Sequence, residues 1–203
     1  MDIAFYGSVV VTLFVIMDPI GIIPIFLALV GRRSPAEVRR LALQAALTSL
    51  VVITGFALFG DRILEYLHIS LPALRVAGGL LLLVVALQLL LHGDVGGSAA
   101  EDDANIAFVP LGTPLLAGPG AIVAVILFVR DSTGPPQLVA IAAAIVSIHI
   151  VIYLVLRYAT AIIHVIRPAG VTIISRIAGV LLAAIAVQLT ADGVFGLIEM
   201  WQA

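Results

Sequence analysis

Long apolar stretches separated by short polar segments run along the whole chain. A helix of roughly 20 apolar residues crosses the hydrocarbon core of a bilayer, and six stretches come near that length: residues 4–30, 38–59, 71–91, 106–129, 137–157 and 172–195. The chain is 63% hydrophobic and 11% charged, against about 25% charged residues in a typical soluble domain. The pattern predicts an all-α integral membrane protein with six transmembrane spans.

The first apolar stretch is interrupted at its centre by residues that do not suit a continuous helix. Asp18 places a carboxylate at membrane depth, where an ionisable group marks a functional site by default. Pro19 and Pro24 lack a backbone donor, and Gly21 adds backbone freedom. Broken backbone inside a membrane is tolerated only where protein buries it or where it lines a wet cavity. The stretch therefore predicts a broken helix or a re-entrant pair.

The same kind of interruption recurs in the fourth stretch. Pro119, inside the sequence Leu-Ala-Gly-Pro-Gly-Ala, lies 100 positions after Pro19, and residues 176–182 resemble residues 75–81 at an offset of 101. Paired Gly/Pro-interrupted spans in two halves are the best sequence pointer to a transporter binding site. Because three spans per half is an odd number, the pattern predicts two inverted-topology repeats with broken first and fourth spans.

This repeat divides the chain into three parts. Residues 1–92 form the N-terminal three-span repeat, residues 93–105 an acidic, Gly-rich linker, and residues 106–203 the C-terminal three-span repeat. A capping box of Ser34 and Glu37, with Pro35 between them, predicts the start of the second span. The segment from Arg157 to Arg176, which contains Pro168, is predicted to be a basic loop.

The arginines predict an orientation, because basic residues favour the cytoplasmic side. Three of the ten, Arg62, Arg75 and Arg130, fall on one predicted side of the membrane. The other side holds Arg32, Arg33, Arg39, Arg40, Arg157, Arg167 and Arg176. The larger set is predicted to be cytoplasmic, with both termini outside.

The two interruptions resemble motifs of the MarC family, also called the SnatA or neutral amino acid transporter family. Residues 18–26 are similar to the family's first-span motif and residues 110–122 to its fourth-span motif, while residues 75–79 and 183–188 fit its third and sixth spans. The resemblance covers nearly the whole chain. It implies six spans in a prokaryotic inner (plasma) membrane and transport of small neutral amino acids such as glycine and alanine. Ile22 departs from the family, which often has Asn there.

The predicted substrate site lies where the two interruptions meet at the membrane midplane. Half-helix N-termini, expected near Gly21 and Gly120, can hold a carboxylate, and freed carbonyls can hold an ammonium group or a cation. Asp18 either binds an ion, a proton or the substrate ammonium, or only caps the following half-helix. The predicted site residues are Asp18, Pro19, Ile20, Gly21, Thr113, Gly118, Pro119, Gly120 and Ala121, with Gln44, Thr48 and His149 as supporting candidates.

A secondary transporter working by alternating access fits this pattern, and a passive small-solute channel or an exporter is the alternative. A membrane-embedded enzyme is less favoured, because the sequence has no His-Glu-x-x-His motif, no paired intramembrane carboxylates and no cysteine. No metal, cofactor or nucleic-acid partner is expected. The partners are a small neutral amino acid and the bilayer. The coupling ion (H⁺ or Na⁺), the transport direction and the oligomeric state stay open.

Overall fold

The chain folds into helices connected by short turns. The computed structural model describes residues 2–30, 33–91 and 116–202, and within these ranges the regular elements are all helical. In chain order they are α1 (Ile3–Met17), α2 (Ile23–Val30), α3 (Pro35–Tyr66), α4 (Leu71–Leu91), α5 (Pro119–Arg130), α6 (Pro135–Arg157) and α7 (Ala159–Gln202). The predicted linker, residues 93–105, lies outside the described residues.

Four helical segments are long and apolar enough to cross a bilayer. They are Pro35–Tyr66, Leu71–Leu91, Pro135–Arg157 and Ala169–Gln202. Two shorter apolar helices, Ile3–Met17 and Pro119–Arg130, lie in the first and fourth predicted spans. The first span is interrupted as expected, since α1 ends at Met17 and α2 begins at Ile23. The chain is therefore a multi-helical membrane protein whose shorter apolar helices adjoin the predicted interruptions.

The start of α3 confirms the capping box. The Ser34 hydroxyl accepts the N–H of Glu37 at 3.4 Å, and the Glu37 carboxylate accepts the N–H of Ser34 at 2.9 Å. Pro35 occupies the first helical turn, where its missing N–H costs no helical bond. These local contacts fix the point at which the polar turn after α2 becomes α3.

The prediction of a basic loop between Arg157 and Arg176 is wrong. This segment is helical on both sides of a break at Arg167, whose backbone angles are φ 61° and ψ 159°. Residue 168 is a proline, and the residue before a proline is forced out of the helical region by steric conflict. The proline therefore interrupts the helix at one residue, and the apolar sequence after it continues as a helix to Gln202.

Two hydrophobic clusters hold the helices together. The larger one combines buried residues of α1, α2, α3, α5 and α6, with Leu13, Ile23, Phe26, Ile53 and Ile148 fully buried at its centre. The smaller one joins α4 and α7 through Leu82, Ala86, Leu182 and Ala186, and Val15 of α1 packs against it. As a result, α1 contacts both clusters, and its C-terminal end lies between them.

Helices α4 and α7 pack antiparallel along closely approaching glycines. A Cβ placed on Gly79 would lie 2.7 Å from the Ala186 carbonyl oxygen and 2.8 Å from the Thr190 nitrogen. A Cβ placed on Gly179 would lie 3.2 Å from Leu90 Cγ and 3.3 Å from the Ala86 carbonyl oxygen. The glycines therefore permit a backbone approach that side chains would prevent.

One end of the helix bundle is held by two ion pairs. Arg130, at the end of α5, binds Asp61 near the end of α3 at 2.9 Å. Arg75, near the start of α4, binds Asp131 after α5 at 2.8 Å. These contacts place the ends of α3 and α5 and the starts of α4 and α6 on one side of the molecule.

Candidate functional site

The break between α1 and α2 is built around the Asp18 side chain and backbone. Asp18 adopts a left-handed conformation, with φ 36° and ψ 63°, and its N–H donates to the Phe14 carbonyl at 3.1 Å. The Oδ1 atom of Asp18 accepts the N–H of Gly21 at 3.1 Å. Asp18 therefore ends α1 through its backbone and stabilises the following turn through one carboxylate oxygen.

This turn removes two regular hydrogen-bond donors from the end of α1. In a continuous helix the Val15 carbonyl would accept from residue 19, but Pro19 has no N–H. The Met17 carbonyl would accept from Gly21, whose N–H is bound to Asp18 instead. The C-terminal end of α1 therefore presents carbonyl oxygens that have lost their helical donors, together with the negative end of the helix dipole.

The second carboxylate oxygen of Asp18 lies beside the hydroxyl of Ser175 from α7. A Cβ on Gly21 would collide with Asp18 Oδ2 and would lie 2.6 Å from Ser175 Oγ. Both of these oxygens are buried, and the Ser175 hydroxyl interacts with the Asp18 carboxylate. Glycine is required at position 21, because any side chain would displace this pair of polar atoms.

The start of α5 carries no capping side chain. Gly118 is the N-cap residue, with φ −60° and ψ 160°, and Pro119 occupies the first turn. The Gly118 carbonyl accepts the N–H of Ala121 at 3.0 Å and that of Ile122 at 3.2 Å. No side chain of the described residues caps this helix start, and the positive end of the α5 dipole lies here.

One cavity connects the two interrupted segments. Its volume is about 180 Å³, below the roughly 300–1,000 Å³ of pockets for drug-sized ligands. Helix α4 supplies an apolar wall of Leu82, Val85 and Leu89, with Gln88 among them. The remaining lining residues are Ile16, Met17, Asp18, Gly21, Ile22, Ile25, Leu116, Gly118, Pro119, Gly120 and Ala121.

Six of the nine predicted site residues line this cavity: Asp18, Gly21, Gly118, Pro119, Gly120 and Ala121. Pro19 and Ile20 belong to the same turn but do not line it, and Pro19 is buried. Thr113 lies outside the described residues. The half-helices begin at Ile23 and Pro119, so the first starts two residues later than expected and the second one residue earlier.

Gly120 has a packing role that its sequence context did not indicate. A Cβ there would collide with the Leu82 side chain of α4 and lie 3.5 Å from Ile16 Cγ2. Leu82 is 1% exposed, so it has little room to move. A large residue at Gly120 would therefore separate α5 from α4, in addition to any effect on a ligand.

The three supporting candidates lie away from the cavity. His149 of α6 is buried, with Nδ1 2.7 Å from the Ile145 carbonyl oxygen and Nε2 3.1 Å from the Ser49 hydroxyl of α3. The first contact makes Nδ1 the protonated nitrogen, because a carbonyl can only accept, and Nε2 then accepts from Ser49. Gln44 and Thr48 are half-buried on α3, and neither lines the cavity.

Sequence reasoning missed Ser175 and the wall formed by α4. Ser175 lies 157 positions after Asp18 in the chain, and its sequence neighbours resemble those of any serine in an apolar helix. Leu82, Val85 and Leu89 have no local feature that separates a cavity wall from a lipid-facing surface. The sequence signal that could have indicated this wall is the polar Gln88, three residues after Val85 on the same face of α4.

Comparison with known proteins finds integral membrane proteins that match nearly the whole chain. The sequence profile of a family described as MarC family integral membrane protein matches residues 3–198. A UPF0056 membrane protein of Aquifex aeolicus (strain VF5) is 35% identical over 196 residues, which cover 93% of this chain and 91% of the relative.

Two further UPF0056 membrane proteins extend the match. One, from Methanocaldococcus jannaschii, is 34% identical over 204 residues, covering 97% of this chain and 98% of the relative. Another, from Bacillus subtilis (strain 168), is 31% identical over 206 residues, covering 97% of both chains. No solved structure matches the chain significantly.

Proposed function

We propose that this chain, which belongs to the MarC family of integral membrane proteins, is a secondary transporter of small neutral amino acids. The observation that carries the proposal is the single cavity shared by both interrupted segments. The C-terminal end of α1, with Asp18, and the N-terminal end of α5 both line it. The substrate site is this cavity.

A zwitterion matches the two helix ends. The end of α1 offers freed carbonyls and the Asp18 carboxylate, which attract an ammonium group. The start of α5, with Gly118 as its N-cap, offers the positive end of a dipole, which attracts a carboxylate. An amino acid carries both groups on one carbon atom and can therefore bridge the two helix ends.

The rest of the lining favours a small, uncharged side chain. Leu82, Val85 and Leu89 contribute apolar surface, and no cationic residue is among the lining residues within the described ranges. A charged side chain would lose its hydration without gaining a partner. The volume of about 180 Å³ suits glycine or alanine better than larger amino acids.

The contacts between α4 and α7 support an inverted repeat. Residues 75–81 of α4 and the similar residues 176–182 of α7 lie on two helices that pack antiparallel against each other. A two-fold relation between the halves requires that such matched helices run antiparallel where they meet. Because the two helices are antiparallel, the axis lies perpendicular to them, in the membrane plane. Alternating access by exchange of two inverted halves requires this geometry.

Transport by purified protein in liposomes tests the proposal. Labelled glycine or alanine should enter in a saturable manner, and unlabelled alanine outside should drive counterflow of labelled alanine. N-acetylglycine and glycinamide, each of which lacks one of the two charged groups, should compete poorly. Imposed pH and sodium gradients would identify the coupling ion. Non-saturable flux without counterflow would indicate a passive channel, and no flux of any amino acid would refute the proposal.

A further inference from the structure

Two arginines from different helices converge on one tyrosine at the end of the bundle opposite the ion pairs. Arg157 of α6 donates from Nη1 to the Tyr153 hydroxyl at 2.9 Å. Its guanidinium lies 5.9 Å from the ring centre of Tyr153 and 5.3 Å from that of Tyr158. Arg39, in the second turn of α3, interacts with the same Tyr153 hydroxyl. We call these four residues the arginine–tyrosine cluster.

The positive charges of this cluster have no carboxylate partner within the described parts of the chain. Two of the three arginines at the opposite end differ, since Arg75 is paired with Asp131 and Arg130 with Asp61. Two neighbouring guanidinium groups repel each other unless an anion lies between them. The cluster therefore has the charge and the donors to bind an anion, and no carboxylate among residues 2–30, 33–91 and 116–202 pairs with it.

The position of the cluster selects the kind of anion. Arg39 and Leu43 share a face of α3, and Leu154 and Ile150 share a face of α6, because residues four apart are neighbours on a helix. Tyr158 directly follows the end of α6. Leu43, Leu154 and Ile150 are 43%, 44% and 53% exposed. An apolar surface therefore runs from the charged cluster along the membrane-spanning part of both helices.

We propose that the arginine–tyrosine cluster binds the phosphate of an anionic phospholipid, whose acyl chains lie along these exposed apolar residues. Guanidinium groups bind phosphate oxygens through paired N–H donors. Tyrosine rings at the membrane boundary suit the headgroup level. A soluble anion would satisfy the charge but would leave the adjoining apolar surface unused. This assignment does not depend on what the protein transports.

Native mass spectrometry of the full-length protein with bound lipid tests the assignment. The probes are phosphatidylglycerol and phosphatidylcholine with identical acyl chains. Wild type should retain phosphatidylglycerol in preference to phosphatidylcholine. The double variant Arg39→Gln/Arg157→Gln should retain phosphatidylglycerol about 30-fold less well, from the effect of roughly two basic residues at an anionic surface. The control Arg62→Gln/Arg75→Gln removes the same charge from the opposite end and should leave retention unchanged.

Several outcomes would overturn the assignment. Equal retention of the two lipids by wild type would show that headgroup charge is not recognised, and equal loss in the control variant would show a general charge effect. Displacement of phosphatidylglycerol by millimolar inorganic phosphate alone would show that the acyl chains are not needed. If the Gln variant does not fold, Arg39→Lys/Arg157→Lys keeps both charges but loses the paired donors, and wild-type retention by that variant would refute the phosphate geometry.

Discussion

At the scale of single residues, the two carboxylate oxygens of Asp18 have different surroundings. Its Oδ1 atom accepts the Gly21 N–H and stabilises the turn, while Oδ2 is buried beside the Ser175 hydroxyl. A residue that only capped the turn would need one acceptor. We propose that the second oxygen, together with Ser175, binds a substrate ammonium or a coupling ion.

Replacement of Asp18 by asparagine separates these roles. Asn keeps an acceptor for the Gly21 N–H, so Asp18→Asn should fold with nearly wild-type thermal stability. It removes the negative charge, and the loss of a hydrogen bond to a charged group, about 1.5–3 kcal/mol, should lower glycine transport by about 10- to 150-fold. Proteoliposome uptake and thermal unfolding in detergent measure the two effects. Wild-type transport by the Asn variant would remove Asp18 from the substrate site.

Gly21 tests the close approach of Asp18 and Ser175. In Gly21→Ala the new Cβ would collide with Asp18 Oδ2 and press on Ser175 Oγ at 2.6 Å. The variant should lose transport and about 1–3 kcal/mol of stability, as overpacked sites do. Gly55→Ala in α3 is the matched control, since a Cβ there meets nothing within 4 Å, and it should be neutral or slightly stabilising. Equal behaviour of the two variants would contradict the described turn.

At the scale of elements, helices α4 and α7 form a closely packed pair, and the two sides of their contact are not equally tight. The Cβ position of Gly79 is closed by backbone atoms at 2.7 and 2.8 Å, whereas that of Gly179 has its nearest atoms at 3.1 to 3.3 Å. Backbone atoms cannot move aside without separating the helices, but side chains can shift by a few tenths of an ångström. The sensitivity of the pair to added volume should therefore differ between its two halves.

This difference gives a ranking of variants. Gly79→Ala should destabilise the protein by about 1–3 kcal/mol, and Gly179→Ala should cost less. Ala142→Leu on the exposed face of α6 should change stability little, although it adds more volume. Melting temperatures in one detergent, compared across the three variants, check the order. A larger loss for Gly179→Ala than for Gly79→Ala would contradict the antiparallel register.

At the scale of the whole molecule, the arginine distribution and the antiparallel packing of α4 on α7 predict one topology. The start of α3 and the end of α6 lie on the side of Arg39 and Arg157, which have no carboxylate partner among the described residues. Positive residues favour the cytoplasm. The proposed three spans in each half would place the two halves in opposite orientations. Both termini are expected outside.

Labelling of single cysteines tests this topology, and the chain has no native cysteine to interfere. Ala36→Cys is the better cytoplasmic probe, because Ala36 is exposed and, unlike Ser34, takes no part in the capping box. A membrane-impermeant thiol reagent added outside intact cells should label Gln202→Cys but not Ala36→Cys. Labelling of both sites after permeabilisation is the control. The opposite pattern would invert the orientation.

The sequence by itself determined the class of protein, the position of the break at Asp18 and the start of α3. These depend on composition, on the missing donor of proline and on contacts three residues apart, all of which are local. It also indicated that the segments at Pro19 and Pro119 belong together, because two matched interruptions occur at one offset.

Only the tertiary structure decided which side chains complete the site. Ser175 lies beside Asp18, and Leu82 fills the space at Gly120, because helices distant in sequence pack against each other. No local pattern distinguishes a serine or leucine that faces a cavity from one that faces lipid. The structure also decided the conformation between Arg157 and Arg176. Only Arg167, the residue before Pro168, has non-helical backbone angles within α7, and the apolar sequence on both sides of it is helical.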